Sequence, residues 1–345
     1  MGNIKRILII QTAFFGDVVL TIPLIMATKR AFPDAYLSVM TIPIGKEVLE
    51  NNPDIDEIIS YDKKGKDRPW RAFLDLVAKI KGRHFNVAIL PHRSFKSALL
   101  CFLARIPRRI GFDSAAGKIL YTDKVSYRQS QKVHEIDRNL DLLKPLEVKD
   151  RKSTIFIDPG KEAINHAFEL CNEYEIKAAD LVIGINPGSV WPTKRYATEK
   201  YAALADRLIQ ELKATIIIIG SPTDVPVADK MAHEMREAVI NLAGQNTIPQ
   251  MTALMKRFNL LVTNDCGAMH IATALGVPVV AIFGPTTQNL GFYPYSTKDI
   301  VVEKDLPCRP CGKHGNRRCP QRNFACMKLI TVSDVFDAVK RRLEG

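Results

Sequence analysis

Short runs of apolar residues recur along the chain, with stretches of helical periodicity between them. In the first half, Ile7–Ile10, Tyr36–Met40, Glu57–Ser60 and Val87–Leu90 read as buried strands, because each is brief and rich in strand-forming side chains. Trp70, Phe73, Leu74, Val77 and Ile80 fall on one face of a helix between them. The second half repeats the scheme, with strands over Leu181–Ile185, Ile216–Ile219, Leu260–Val262 and Val277–Phe283. Tyr201, Leu204, Ala205, Leu208, Ile209 and Leu212 form an apolar stripe behind an N-cap expected at Thr198. A last stripe, Val332, Val335, Phe336, Val339 and Leu343, starts at the capping signature Thr331-x-x-Asp334.

Strands alternating with helices predict an α/β protein with parallel sheets and right-handed crossovers. A polar stretch at Asn172–Asp180 divides the pattern. It predicts a Rossmann-like domain over 1–172, a second over 181–330, a terminal helix over 331–345, and a cleft between the two domains. A length of 345 residues suits two cores. In doubly wound sheets ligands sit beyond the carboxyl ends of the strands, so the residues just after each strand carry the most information.

Composition narrows the classes. With 46% hydrophobic and 25% charged residues, and no apolar run near the ~20 residues of a membrane span, the chain reads as globular. Its start passes from Met1-Gly2-Asn3 through Ile7–Ile10 to Gly16-Asp17 without a cleavage site, which predicts a cytoplasmic protein. The seven cysteines are then expected to be reduced. A net charge of +12 points to an anionic partner. Between Pro91 and Lys118, six cations (Arg93, Lys96, Arg105, Arg108, Arg109, Lys118) face one acid, Asp113. The aromatic residues are not interleaved with these cations in a stacking pattern, which argues against nucleic acid. A solvated face is the alternative to a binding patch.

Four clusters follow strands or stand out by spacing. After the first strand, Gly16 permits a tight turn and Asp17 starts a helix, where it is either a general base or a plain cap. Asn186-Pro187-Gly188-Ser189 and then Lys194-Arg195 combine close backbone approach with charge for a diphosphate, unless the Lys-Arg pair is merely solvated. Asp265-Cys266-Gly267 opens a helix with small residues, a pyrophosphate site in form. Asp265 can hold a hydroxyl there, and His270 either meets the ligand or packs. Phe283-Gly284-Pro285-Thr286-Thr287 can close the same site. Lastly, Cys308, Cys311, Cys319 and Cys326 are a candidate structural zinc set, with free thiols as the other reading. No G-x-G, Walker loop, G-x-S-x-G or H-E-x-x-H occurs.

Together the clusters resemble the ADP-heptose:lipopolysaccharide heptosyltransferases, and among them the type II enzymes. The likeness rests on Gly16 to Pro23, Leu90-Pro91 with Ser94 to Ala98, Pro187-Gly188-Ser189, Pro192 to Tyr196, and Asp265 to His270. It spans nearly the whole chain in one order. The resemblance implies a GT-B fold, with the acceptor on the N-terminal domain and ADP-heptose on the C-terminal one. It also implies inverting transfer of L-glycero-D-manno-heptose onto the heptose of the inner core, with no obligatory cofactor. Asp17 would be the base. Ser189, Lys194, Arg195, Asp224, Asp265, Gly267 and His270 would hold the donor, with Asp224 at the ribose. Arg93 and Lys96 would meet the acceptor, at the cytoplasmic face of the inner membrane. His92-Arg93 departs from the asparagine expected there, and the cysteine segment varies within the family. Types I and III, or a related transferase of the same family using another sugar, are the alternatives within the family. A nucleotide-sugar epimerase of similar architecture is the alternative from another class.

Overall fold

The computed structural model describes residues 4–63, 65, 67–128, 132–153 and 155–344. Met1-Gly2-Asn3 at the chain start and Gly345 at its end lie outside the described residues. The chain divides into two compact units, 1–158 and 159–345.

The first unit holds a six-stranded parallel sheet: β1 (Arg6–Gln11), β2 (Tyr36–Thr41), β3 (Glu57–Ser60), β4 (Val87–Leu90), β5 (Arg108–Phe112) and β6 (Asp123–Val125). Their order is β3-β2-β1-β4-β5-β6, with every pairing parallel. Strands covered on both faces need continuous apolar runs rather than alternation. Ile7 to Ile10 and Ala88 to Leu90 are all fully buried, at ~1.5–3 kcal/mol for each large side chain. The sequence pattern does not single out β5 and β6. Both begin on charged residues, and Arg108 pairs with Asp123 across the two.

The second unit repeats the topology with β7 (Val182–Asn186), β8 (Thr215–Ile218), β9 (Ile240–Asn241), β10 (Leu260–Asn264), β11 (Val279–Phe283) and β12 (Ile300–Glu303). The order is β12-β11-β10-β7-β8-β9. The helix Lys161–Glu173 packs on Ile248–Met255 and so belongs to this unit. The division therefore falls at 158/159, before the polar stretch at 172–180, because that stretch follows an amphipathic helix committed to the second core. The terminal helix Val332–Glu344 packs on Thr198–Leu212 and on β10 to β12, inside the same unit. Thr331 and Asp334 cap it reciprocally. Thr198 is the first helical residue and Ala197 its N-cap, one position before the expected cap. No described helix is long and apolar enough to cross a membrane.

Candidate active site

Both sheets reverse strand order once, between β1 and β4 and between β7 and β10. Loops that follow the strands at such a reversal diverge to opposite faces and leave room for a ligand. The predicted clusters lie at these two points.

In the second unit, Lys194 and Asp265 form a buried ion pair at 2.6 Å. The Thr286 hydroxyl donates to the same oxygen, Asp265 Oδ2, also at 2.6 Å. Three separate segments thus converge on one carboxylate: the turn Pro192–Lys194, the end of β10, and the turn after β11. Asn264 joins the loops behind them. Its amide nitrogen donates to the carbonyls of Pro187 and Gly188, and its oxygen accepts from the Tyr196 N–H and the Tyr201 hydroxyl. Gly188 is required by its neighbour, since a Cβ there would stand 2.2 Å from the Asp224 carboxyl carbon. Asp224 accepts from the Ser221 hydroxyl at 2.6 Å and lies 4.0 Å from the Arg195 guanidinium. Arg195 also donates to the Ser189 carbonyl. The structure therefore brings together Ser189, Lys194, Arg195, Asp224 and Asp265.

Gly267 opens the helix Gly267–Ala274. The Cys266 thiol lies against the N–H groups of Ala268 and Met269, so sulfur takes up part of the donor capacity expected to stand free. His270 is buried. Burial holds its pKa at about 4, with Asp265 opposing and Lys194 assisting; the imidazole is neutral and packed one turn behind the carboxylate.

In the first unit, Asp17 stands in the first turn of the helix Phe15–Val19, and its carboxylate accepts the Phe14 N–H at 3.1 Å. The Thr12 hydroxyl meets His92 Nδ1 at 2.9 Å, tying the loops after β1 and β4 together. Lys63 donates to the Thr12 carbonyl. Burial, with Lys63 and Arg93 nearby, lowers His92 to about 4.

The family model of glycosyltransferase family 9 (heptosyltransferase) matches residues 73–320. The chain belongs to this family. It is similar to lipooligosaccharide heptosyltransferase 2 of Haemophilus influenzae, with 28% identity over 312 residues, 86% of this chain and 88% of that protein. It is also similar to lipopolysaccharide heptosyltransferase 3 of Escherichia coli, with 23% identity over 96% of both chains. Among solved structures, the family 9 glycosyl transferase of Veillonella parvula superposes with a TM-score of 0.89 at 26% identity, over 100% of this chain and 98% of that one. The protein is thus a glycosyltransferase, and its paired Rossmann-type sheets are those of the GT-B class.

Within this family 9 enzyme, Arg93 lies 4.0 Å over the Tyr127 ring, and Lys96 lies between the rings of Phe73 and Tyr61. The basic segment is not one charged wall. Arg108 is taken up by Asp123 and the Pro145 carbonyl, and Arg109 by the carbonyls of Leu120 and Ile106.

The four cysteines neighbour one another closely enough that burial, and then the other thiols, push Cys311 and Cys326 up. Cys311 donates to the Cys308 carbonyl, and Cys326 joins the core. Among the described residues, no three His, Cys, Asp or Glu side chains are grouped to hold a metal ion. No step below runs through a metal.

Proposed function

We propose that the enzyme transfers L-glycero-D-manno-heptose from ADP-heptose to the heptose of a lipopolysaccharide inner core, inverting the anomeric carbon, as type II members do. The observation that carries the donor half is the buried Lys194–Asp265–Thr286 group at the strand reversal of the second sheet. An ammonium has three donors and Asp265 engages one of them; a diphosphate supplies the acceptors that match the rest. Asp224, beside Gly188 in the loop after β7, is the ribose contact in this reading.

In the transfer, the acceptor oxygen forms a bond to the anomeric carbon as the bond from that carbon to the β-phosphate oxygen breaks. ADP leaves with the bonding pair, and Asp17 takes the hydroxyl proton. Lys194 and Arg195 stabilise charge that grows only as the leaving bond stretches, the form of stabilisation that speeds a reaction most. Arg93 and Lys96 serve the anionic acceptor. Peripheral contact with the cytoplasmic face of the inner membrane belongs to the same proposal. Trp70 and Ile119 are 59% and 82% exposed, and Arg68, Arg71 and Lys118 are exposed beside them in sequence.

Assay of ADP-heptose with core acceptors bearing zero, one or two heptoses tests the reading. Turnover is expected with the one-heptose acceptor. The match to a heptosyltransferase 3 over nearly full length favours a second reading, in which the two-heptose acceptor is the one that turns over. Preference for the zero-heptose acceptor would mark a type I activity.

A further inference from the structure

The segment 304–316, between β12 and the remaining cysteines, touches both groups that hold Asp265. On one side stands Arg309, whose side chain is 3% exposed. Its guanidinium donates to the carbonyls of Phe283, Gly284, Thr286 and Lys304 and pairs with Glu303 at 2.6 Å. The Cys311 N–H takes the Pro285 carbonyl at 2.9 Å. Every carbonyl from Phe283 to Thr286 is therefore held by this one segment. The turn so fixed presents the Thr286 hydroxyl to Asp265.

On the other side, the Thr193 hydroxyl donates to the Asn316 carbonyl at 2.7 Å and accepts the Asn316 N–H at 2.8 Å. Thr193 immediately precedes Lys194. Gly315, at φ +84°, lies flush against the lysine stem: a Cβ there would come within 3.1 Å of Lys194 Cγ and 3.2 Å of Trp191 Cβ. Glycine meets both demands, the left-handed backbone and the missing side chain.

We infer that residues 304–316 form a strap that positions Lys194 and Thr286 on Asp265, with Arg309 and Thr193 as the positioning residues. The inference rests on reading this group as the donor site. Arg309 suits the task because a planar fork of five donors can satisfy several carbonyls at once. A lysine has three donors on a point charge and cannot reproduce the fork. Neither positioning residue touches substrate in this arrangement; each acts through the carboxylate's partners.

ADP titration by calorimetry, run with thermal melting and acceptor KM, tests the strap. Arg309→Lys and Thr193→Val are chosen because each keeps most of the buried volume, whereas Arg309→Ala would strand four carbonyls. Each variant is expected to melt cooperatively, keep its acceptor KM, and bind ADP about tenfold more weakly, a change of ~1.4 kcal/mol. Adding Thr286→Val to Arg309→Lys should weaken ADP binding little further, because both act through one oxygen. Folded single variants with wild-type ADP affinity, or fully additive losses in the double variant, overturn the strap. Lys194→Ala separates the two levels. If it weakens ADP binding while both strap variants do not, only the strap falls. If it too leaves ADP affinity unchanged, the donor-site reading falls and takes the strap with it.

Discussion

The Lys194 ammonium lies 2.6 Å from Asp265 Oδ2, with side-chain exposures of 11% and 6%. Burying two charges costs about as much as their attraction returns, and breaking such a pair by removing one partner costs ~3–5 kcal/mol. A pair kept under those terms suits a ligand better than it suits stability. Lys194→Met should therefore melt well below wild type and lose ADP affinity. Lys194→Met with Asp265→Leu should recover much of the melting temperature without recovering ADP binding. Recovery of both in the double variant would remove the pair from the donor site.

Asp17 should govern the chemical step alone. Asp17→Asn keeps the acceptor oxygen that meets the Phe14 N–H, so the helix start survives. The variant should lose ~10²–10⁴-fold in kcat, the usual worth of a general base, with ADP affinity intact. A folded variant with near-normal kcat would return Asp17 to the role of a cap.

His92 and His270 should set an acid limit on the fold. His92 and His270 are each held at about 4 by burial, against ~6.5 in an unfolded chain. Between those values the unfolded chain binds protons that the folded one refuses, so stability rises with pH. Their contribution is complete above about pH 6.5 and is lost as pH falls toward 4. Melting temperatures measured from pH 7.5 to 4.5 should fall across this window, and less so in His92→Gln. An identical fall in His92→Gln would mean that other groups set the limit.

Gly188→Ala should act on the donor through Asp224. The new methyl would lie 2.2–2.7 Å from the carboxyl atoms of Asp224, displacing them from Ser221. ADP affinity should drop while acceptor KM holds. Gly82→Ala is the control, since its Cβ would meet nothing nearer than the Ala78 carbonyl at 3.6 Å. Equal ADP affinity in the two variants would take Asp224 out of the site.

The acceptor side should respond to salt. Arg93 and Lys96 are partly buried but still reach water, and charges in water act over ~8–10 Å at physiological ionic strength, so added salt should raise acceptor KM several-fold and donor KM much less. Arg93→Ala with Lys96→Ala should reproduce the acceptor defect at low salt. A delipidated acceptor separates binding from docking: a defect seen only on membranes would make these cations a docking surface.

The central strands were legible because burial on both faces writes them as unbroken apolar runs. β5, β6 and β12 were not: β6 and β12 are edge strands and β5 lies beside one, where a run need not be unbroken, although the edge strand β3 was read from Ile58-Ile59. The domain boundary was misplaced because a polar stretch can follow a helix as readily as it can link two cores. Asp17, Lys194 and Asp265 stand where the sequence places them, in the turns that follow strands. Asn264 could not be picked out, because its side chain works behind the site and its partners lie 63 to 77 residues away. Arg309 was one cation among many in a cysteine-rich stretch, and only its burial sets it apart.

Asn264 has a consequence at the level of single atoms. The orientation of its amide is fixed by its partners, because a reversed group would set NH2 against two donors and oxygen against two carbonyls. Asn264→Asp would preserve the shape of the side chain and remove both donors, turning a carboxylate toward the oxygens of Pro187 and Gly188. The loop at Pro187-Gly188, the segment at Tyr196 and the helix that carries Tyr201 would then lose their common pin without any change in volume. What decides at this position is where two hydrogens sit. Slow hydrolysis of this one amide would age the enzyme in a way that no packing defect would reveal.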